Sequence, residues 1–447
     1  MAMSRAVAQL DPDLLARMEE ARARTDALFK LLPLNSFYDR PIPERHRLIF
    51  YLGHLEAFDG NLLRPVLGLE SPEPALDRLF AFGIDPVDGK LPTDTPADWP
   101  SIGQVEKYNR GVRETLDEAL AGRRAIDSPS SELADGTLLH VAIEHRLMHA
   151  ETLAYLFHNL PVSRKQPQAS PKSDPRPAPK PGRVTIPAGI ATLGRSRNEA
   201  FGWDNEFEAH LVEVPTFSID AFPVSNGEYL KFVEAGGYQE ARYWSPESWE
   251  WKSSVELAHP HFWVRPSAAS PEAPCQWNYR AMFGTIPLPL SWPVYVSHGE
   301  ASAYARWAGR QLPSEAQWHR AAYGSLNGRE RTYPWGDAPP DPTRGNFDFQ
   351  SWDAAAVDAH PTGASAFGVF DLLGNGWEWT STPFAPFPGF RAFSFYPGYS
   401  ANFFDGKHFV MKGGSPQTDR CMLRRAFRNW FQPHYTYTYA TFRCVEE

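Results

Sequence analysis

The chain has little cysteine: only Cys275, Cys421 and Cys444 among 447 residues. So sparse and odd a count excludes a disulfide framework and fits a reducing compartment, so a cytoplasmic location is expected. Long apolar runs are missing too. Nowhere do about 18 apolar residues follow one another, which argues against a helical membrane span. The opening residues, Met1 to Gln9, lack the apolar core of a signal peptide. A basic surplus is also absent: 44 Lys and Arg stand against 53 Asp and Glu, for a formal charge of -9. That balance argues against a partner held through nucleic-acid phosphates. No internal repeat of fixed period is visible. Aromatic side chains are the abundant class, at 14% with 15 tryptophans, mostly beyond residue 200. Such richness suits a loop-heavy domain pinned by large rings.

The length allows two or three domains with ample cores. Residues 1–162 read as helical, with long segments over about 10–32, 43–67, 102–122 and 131–160. Asp11-Pro12 and Ile42-Pro43-Glu44 look like helix starts, with proline early and acid in the first turn. Ser130-Ser131-Glu132 offers a cap for the fourth segment. Four amphipathic helices predict an antiparallel bundle, whose core can host a metal. Residues 163–182 are dense in proline and charge and predict an extended, mobile linker. From 183 to 447 short β-like runs, such as Val184-Thr185-Ile186 and Phe409 to Ser415, alternate with Gly, Pro, Asn and Trp. Helices are expected near 298–308 and 314–323, and this half reads as α+β with much irregular structure.

Three histidines carry the chemistry. His145 and His149 lie four residues apart, which stacks their imidazoles one turn apart on one helix face. His54, in the apolar stretch Tyr51 to Phe58, could bring a third imidazole from another helix. Three neutral imidazoles close one face of an ion and leave the opposite face open. Such a set suits Fe, Zn, Cu and Ni alike. Glu151 lies off the His149 face and is read as an acid that orients an imidazole N–H. His46, His140 and His158 are read as surface or packing residues.

Five motifs recur in order through the second half: Phe201-Gly-Trp-Asp-Asn-Glu206, Gly309 to Trp318, Tyr333-Pro-Trp-Gly-Asp337, Gly368 to Thr380, and Lys412-Gly-Gly-Ser415. Most read as scaffold. Ser314 looks like an N-cap with imperfect capping-box spacing. Gly374 and Gly413 are expected in turns, and Trp318, Trp335, Trp377 and Trp379 in packing. Together the motifs resemble the formylglycine-generating-enzyme-like domain, which has a C-type-lectin-like fold. Cys421 and Cys444 are too far apart to match that family's cysteine pair. The first half resembles a DinB-like metal-binding bundle, with its upstream histidine and later His-x-x-x-His. The combination resembles the ergothioneine synthase family of non-haem iron sulfoxide synthases, over nearly the whole chain apart from the linker.

That resemblance implies Fe(II) on His54, His145 and His149, O2 as co-substrate, and an active site between the two domains. It implies Tyr396 as proton or hydrogen-atom donor and Tyr399 as a substrate contact. A phenol is a plausible acid there. Asn429 and Trp430 match the pair that helps bind hercynine, the trimethylated histidine, and an indole face suits a quaternary ammonium. Phe431 stands where one branch has aspartate, and Met148 where some members carry glutamine. Arg110 and Arg113 are the arginines available on the third helix for a glutamyl-cysteine donor. Alternation from Tyr435 to Cys444 predicts a strand with Tyr435, Tyr437 and Tyr439 on one face. Phe427 to Tyr435 looks most like the selenoneine synthase branch, which joins hercynine to a selenosugar. The rival readings are an ergothioneine sulfoxide synthase using cysteine or gamma-glutamylcysteine, a zinc-dependent thiol transferase, and a non-catalytic carbohydrate-binding module.

Overall fold

The computed structural model describes residues 11–81, 91–122, 131–169, 174–266 and 277–447. The chain forms two compact units, Met1–Gln168 and Ala169–Glu447. Among the described residues no helix is long and apolar enough to cross a membrane.

In the first unit, α1 (Pro12–Phe29) starts as its sequence predicts. The Asp11 carboxylate accepts from the Asp13 amide at 2.9 Å, and proline stands at the first position. The second helix, α2, runs Leu48–Leu67 and begins later than Ile42-Pro43-Glu44 implied. Residues before it fold as turns because Arg47 is drawn outward: its Nε donates to Asp94 at 3.0 Å and its Nη1 to the Tyr38 carbonyl at 2.7 Å. Gly68, at φ 65°, ends α2 in the left-handed conformation that glycine tolerates. A short α3 (Pro74–Leu79) and the long α4 (Ile102–Gly122) follow. The expected fourth helix is divided into α5 (Ser131–Ala134) and α6 (Thr137–His158), parted at Gly136 with φ 79°. Ser130 lies outside the described residues. α1 packs on α6, α6 on α2 and α2 on α4, giving a four-helix bundle. Leu139, Val141 and Leu153 of α6 and Leu48, Ile49 and Leu63 of α2 are fully buried. Each contributes about 1.5–3 kcal/mol of transfer free energy. The 174–182 stretch holds neither helix nor strand, as expected, but it is tied down: Ser291 Oγ donates to Asp174 at 3.0 Å.

The second unit is α+β. Its elements are β1 (Arg183–Ile186), β2 (Gly189–Leu193), β3 (His210–Val214), β4 (Phe217–Asp220), α7 (Asn226–Glu234), α8 (Pro246–Ser254), β5 (Trp263–Val264), β6 (Asn278–Ala281), β7 (Gly284–Pro287), α9 (His298–Trp307), α10 (Glu315–Tyr323), β8 (Gly376–Pro383), β9 (Phe409–Gly414), β10 (Asn429–Phe431), β11 (Ala440–Thr441) and β12 (Val445–Glu446). The sheet that matters most has the order β10-β9-β8-β11, antiparallel except for the parallel β8–β11 pair. It fixes Asn429 and Trp430 opposite Met411 and Val410.

The tryptophan motifs are scaffold, as their sequence implied. Trp318 and Trp379 are fully buried, and Trp377 nearly so. Trp318 Nε1 donates to Glu378 at 3.0 Å, and Arg443 grips the same buried carboxylate with two donors at 2.6 Å each. Trp335 sits nearer the surface, its ring stacked 5.3 Å from Tyr333. Ser314 makes a complete capping box with Gln317, because glutamine stands at the third helical position. Gly374 (φ 87°) does supply a turn, but Gly413 lies inside β9, where a Cβ would meet the Leu372 carbonyl at 2.8 Å. The expected strand from Tyr435 to Cys444 forms only at β11. Gln432-Pro433-His434 turns the chain, with Tyr435 N–H on the Gln432 carbonyl at 3.2 Å. Tyr435 and Tyr437 rings lie 5.3 Å apart, whereas Tyr439 packs on Tyr295.

Asp371, just before β8, is buried and accepts from Asn375 Nδ2 at 2.7 Å. Burial pushes its carboxyl up to about 8. A raised folded-state value means the group's stabilising contribution is present below its unfolded value and lost as pH rises through about 8. Asp371→Asn is therefore expected to gain on the wild type in denaturant unfolding as pH rises from mildly acidic to 8. A gap that stays constant with pH would remove the buried acid as the cause.

Candidate metal centre and substrate-side residues

Of the described residues, one group of three has metal-ligand geometry: His54, His145 and His149, all buried, with their candidate ligand nitrogens within 4.8 Å of one another. Ring centroids lie 5.3 Å apart for His54–His145, 4.8 Å for His54–His149 and 4.5 Å for His145–His149. Two nitrogens on one ion sit at most about 4.2 Å apart at bonds of ~2.1 Å, so small ring rotations close the set. The four-residue spacing on α6 supplies two imidazoles, and the packing of α6 on α2 supplies the third.

The rings are held from outside. His54 Nδ1 lies 2.6 Å from the Phe80 carbonyl at the end of α3. A carbonyl only accepts, so that nitrogen carries the proton and Nε2 keeps the lone pair for a metal. Gly53 makes this possible: a Cβ there would come within 2.5 Å of the Phe80 ring. His145 lies flat on Phe58, with centroids 3.4 Å apart and planes 9° apart, and His54 stacks on Phe50 at 4.8 Å. Burial pushes the His54 imidazole down to about 4, against the pull of the Phe80 carbonyl. Burial also drives His145 and His149 well below the usual range, with neighbouring imidazoles adding to the effect. All three are thus neutral imidazoles near pH 7. The Nδ1 atoms of His145 and His149 are buried with no hydrogen-bond partner. Orphaned buried nitrogens on a neutral donor set fit a borderline transition metal such as Fe, Zn, Cu or Ni.

Behind the triad lies an ionic network that composition gave no sign of. Arg146, next to His145, is 1% exposed and reaches α2. Its Nη1 donates to Glu56 at 2.9 Å and its Nη2 to Asp59 at 2.7 Å and to the Leu55 carbonyl at 3.1 Å. Burial alone would lift the Glu56 carboxyl, but Arg146 and Arg113 pull it down to about 2. Arg113, expected on the substrate side, is committed here instead. Its three nitrogens donate to Asp26 and Glu56 at 2.6–3.0 Å. Arg110 is exposed on α4, Met148 is half-buried on α6, and Glu151 is buried on the same helix.

In the second unit the sequence-predicted substrate residues form an aromatic group. Tyr399 is buried and Tyr396 half-buried in one turn, closed by Tyr399 N–H on the Tyr396 carbonyl at 3.2 Å. Tyr399 stacks on Trp203 at 3.9 Å and meets Trp430 edge-on at 5.5 Å. Trp430 stacks on Phe384 at 4.2 Å, with Phe403 at 5.5 Å. Phe431 turns to the other side and stacks on Tyr435 at 4.8 Å. Asn429 Oδ1 accepts from the Trp430 amide at 2.9 Å. Phe384 and Phe403 were not singled out in the sequence, where nothing distinguishes them from other aromatics.

Fold and site together define a DinB-type helical bundle with a buried histidine triad of metal-ligand geometry, joined to a C-type-lectin-like domain. Residues 17–153 match the DinB superfamily, and residues 167–447 match the sulfatase-modifying factor enzyme 1-like domain. The chain is 38% identical to hercynine oxygenase of Mycolicibacterium smegmatis, over 84% of this chain and 83% of that one. It is 33% identical to hercynine oxygenase of Mycolicibacterium thermoresistibile, over 93% and 92%. It is 30% identical to ergothioneine biosynthesis protein 1 of Schizosaccharomyces pombe, over 93% of this chain and 54% of that longer one. The chain belongs to the ergothioneine synthase-like family that contains the hercynine oxygenases.

Proposed function

We propose that this chain is an O2-dependent, mononuclear non-haem iron oxidoreductase that joins a chalcogen to the hercynine ring carbon between the two nitrogens. A selenosugar is the donor. The carrying observation is the buried triad of neutral imidazoles in a chain whose relatives are hercynine oxygenases. His54, His145 and His149 would hold Fe(II), which would supply redox chemistry with O2 and an affinity for a soft donor atom. Replacing the ring C–H and the donor chalcogen–H by a carbon–chalcogen bond is a two-electron oxidation, and O2 takes up the two electrons and two protons, equivalent to hydrogen peroxide.

The remaining work belongs to the protein. Trp430, Tyr399 and Phe403 offer ring faces and edges to a trimethylammonium group, worth up to about 2 kcal/mol when desolvated. Asn429 orients the amino-acid end. The Tyr396 phenol, half-buried beside them, holds the proton that the reaction takes up. Phe431, stacked on Tyr435, offers apolar surface on its own side of β10, and Met148 offers it on α6. Glu151 supports the metal ligands from α6.

Arg113 supports the choice of donor. A guanidinium saturated by Asp26 and Glu56 has little left for a glutamyl-cysteine carboxylate, which leaves Arg110 alone for that task. The second reading, a sulfoxide synthase using cysteine or gamma-glutamylcysteine, is favoured by the names of the relatives. Iron-loaded protein given hercynine, air and equimolar 1-selenosugar, cysteine and gamma-glutamylcysteine separates the two. The carbon–selenium product is expected to dominate by at least tenfold. A dominant carbon–sulfur product would assign the thiol reading. Activity without oxygen on zinc-loaded protein would assign a thiol transferase, and sugar binding indifferent to chelator a carbohydrate module.

A further inference from the structure

The motif Phe201-Gly-Trp-Asp-Asn-Glu206 has no part in the reading above, yet it bridges the two segments that reading depends on. One side of it holds the tyrosine turn. Ser400 Oγ donates to the Asp204 carboxylate, and Asn205 Nδ2 donates to the same Ser400 oxygen at 3.0 Å. Asp204 and Ser400 are both fully buried. Trp203 supplies the ring on which Tyr399 stacks, with planes 24° apart. The other side holds the residues leading into β10. The Asn205 carbonyl accepts from Arg428 Nη1 at 3.4 Å, and the Glu206 carboxylate is gripped by Arg424 through Nε at 2.8 Å and through Nη2. Arg428 immediately precedes Asn429 and Trp430, and is itself locked by Glu315 at 3.0 and 3.1 Å. Three consecutive residues, 204–206, therefore contact both the turn carrying Tyr396 and Tyr399 and the lead-in to the Asn429–Trp430 strand.

A buried carboxylate is a costly filler, since desolvation lifts this one to about 6. Leucine would fill the same space without that cost. What leucine cannot do is accept from Ser400. A loop held only by ring stacking can slide by a fraction of an ångström. A hydrogen bond from a fully buried serine fixes the turn in both distance and direction. Proton donors and cation contacts are sensitive to displacements of this size.

We infer that Asp204, acting through Ser400, is a positioning residue that sets the Tyr396–Tyr399 turn against the Asn429–Trp430 strand. The inference rests on the proposed function for those four residues. It is tested on full-length, iron-loaded protein with 3-fluorotyrosine placed at Tyr399. The variants are Asp204→Leu, Asp204→Asn and Ser400→Ala. The readouts are the 19F shift, melting temperature, and kcat and KM for hercynine with whichever of 1-selenosugar or cysteine the wild type accepts. Asp204→Leu and Ser400→Ala are expected to move the 19F line and lower kcat at least tenfold per iron-loaded molecule, with KM within about threefold. Asp204→Asn keeps an acceptor for Ser400 and is expected to stay near the wild type in both. A purely structural role would lower the melting temperature and leave both the 19F shift and kcat per loaded molecule alone. That result overturns the inference, as does Asp204→Asn behaving like Asp204→Leu. If Asp204→Leu does not fold, Ser400→Ala, which removes one oxygen, decides. If the wild type converts hercynine with neither donor, the functional reading has failed, and the 19F shift alone judges the geometry.

Discussion

His145→Ala is expected to abolish metal binding and turnover together. Purified wild type loaded with Fe(II) should hold close to one ion per chain by elemental analysis, and the variant close to none. Losing even an outer partner of a ligand typically costs about 10–100-fold in metal affinity, and losing a ligand costs more. Among the described residues the substitution removes one of three donors, and no carboxylate belongs to their group. The structural damage is limited. The lost ring lies against Phe58 of α2, and the neighbouring Arg146 still ties α6 to Glu56 and Asp59. The variant should keep its helical circular dichroism while losing its metal. His46→Ala, altering a half-buried histidine outside the group, serves as control and should stay loaded. An iron-replete, active His145→Ala protein would end the assignment of the triad.

Arg146→Ala is expected to cost about 3–5 kcal/mol, the usual loss when one partner of a buried ion network is deleted. That is a large share of the 5–15 kcal/mol a domain commonly holds in reserve. The reason is what remains. Glu56 and Asp59 are both 1% exposed, and each would keep a carboxylate facing an emptied space. Glu56 keeps Arg113 as a partner, whereas Asp59 loses its guanidinium donor and is relieved chiefly by taking up a proton, so the deficit should shrink as pH falls. Replacing all three charged residues with apolar ones of similar volume should cost far less than the single change. Thermal unfolding of the full chain across pH, for the single and triple variants, measures this. A single variant as stable as the wild type at pH 8 would show that the network does not hold α2 to α6. The same variant tests the link to the metal, because the network joins the helices that carry the ligands.

Much of the site could be read from the chain before any coordinates. The His145–His149 spacing is a local signal, and helix geometry converts it into a shared face without outside help. The third histidine of the cluster was legible through resemblance, since a lone histidine in an apolar stretch carries no address for its partners. What held the rings was not legible. The Phe80 carbonyl is backbone, present at every position, and Gly53 looks like any weak spot in a helix until Phe80 is seen against it. Arg146, Glu56 and Asp59 look like ordinary surface charges, because sequence does not mark a charge as buried. Helix identity was clear in the first unit, but boundaries slipped where tertiary contacts outbid local propensity. Pro43-Glu44 imitates a helix start, yet Arg47 is claimed by Asp94 and Tyr38. The alternation after Tyr435 imitates a strand that Pro433 and the turn at Gln432 do not allow to form.

The absence of a carboxylate from the triad reaches into the chemistry of whatever arrives there. Three neutral rings leave a bound dication with its charge undiminished, and Arg146 is already matched by its own two acids. An ion held there, as proposed above, would favour an incoming selenol or thiol in its deprotonated form. The acidity of the proposed donor would then bear on which molecule reacts, and a selenol is more acidic than its sulfur counterpart.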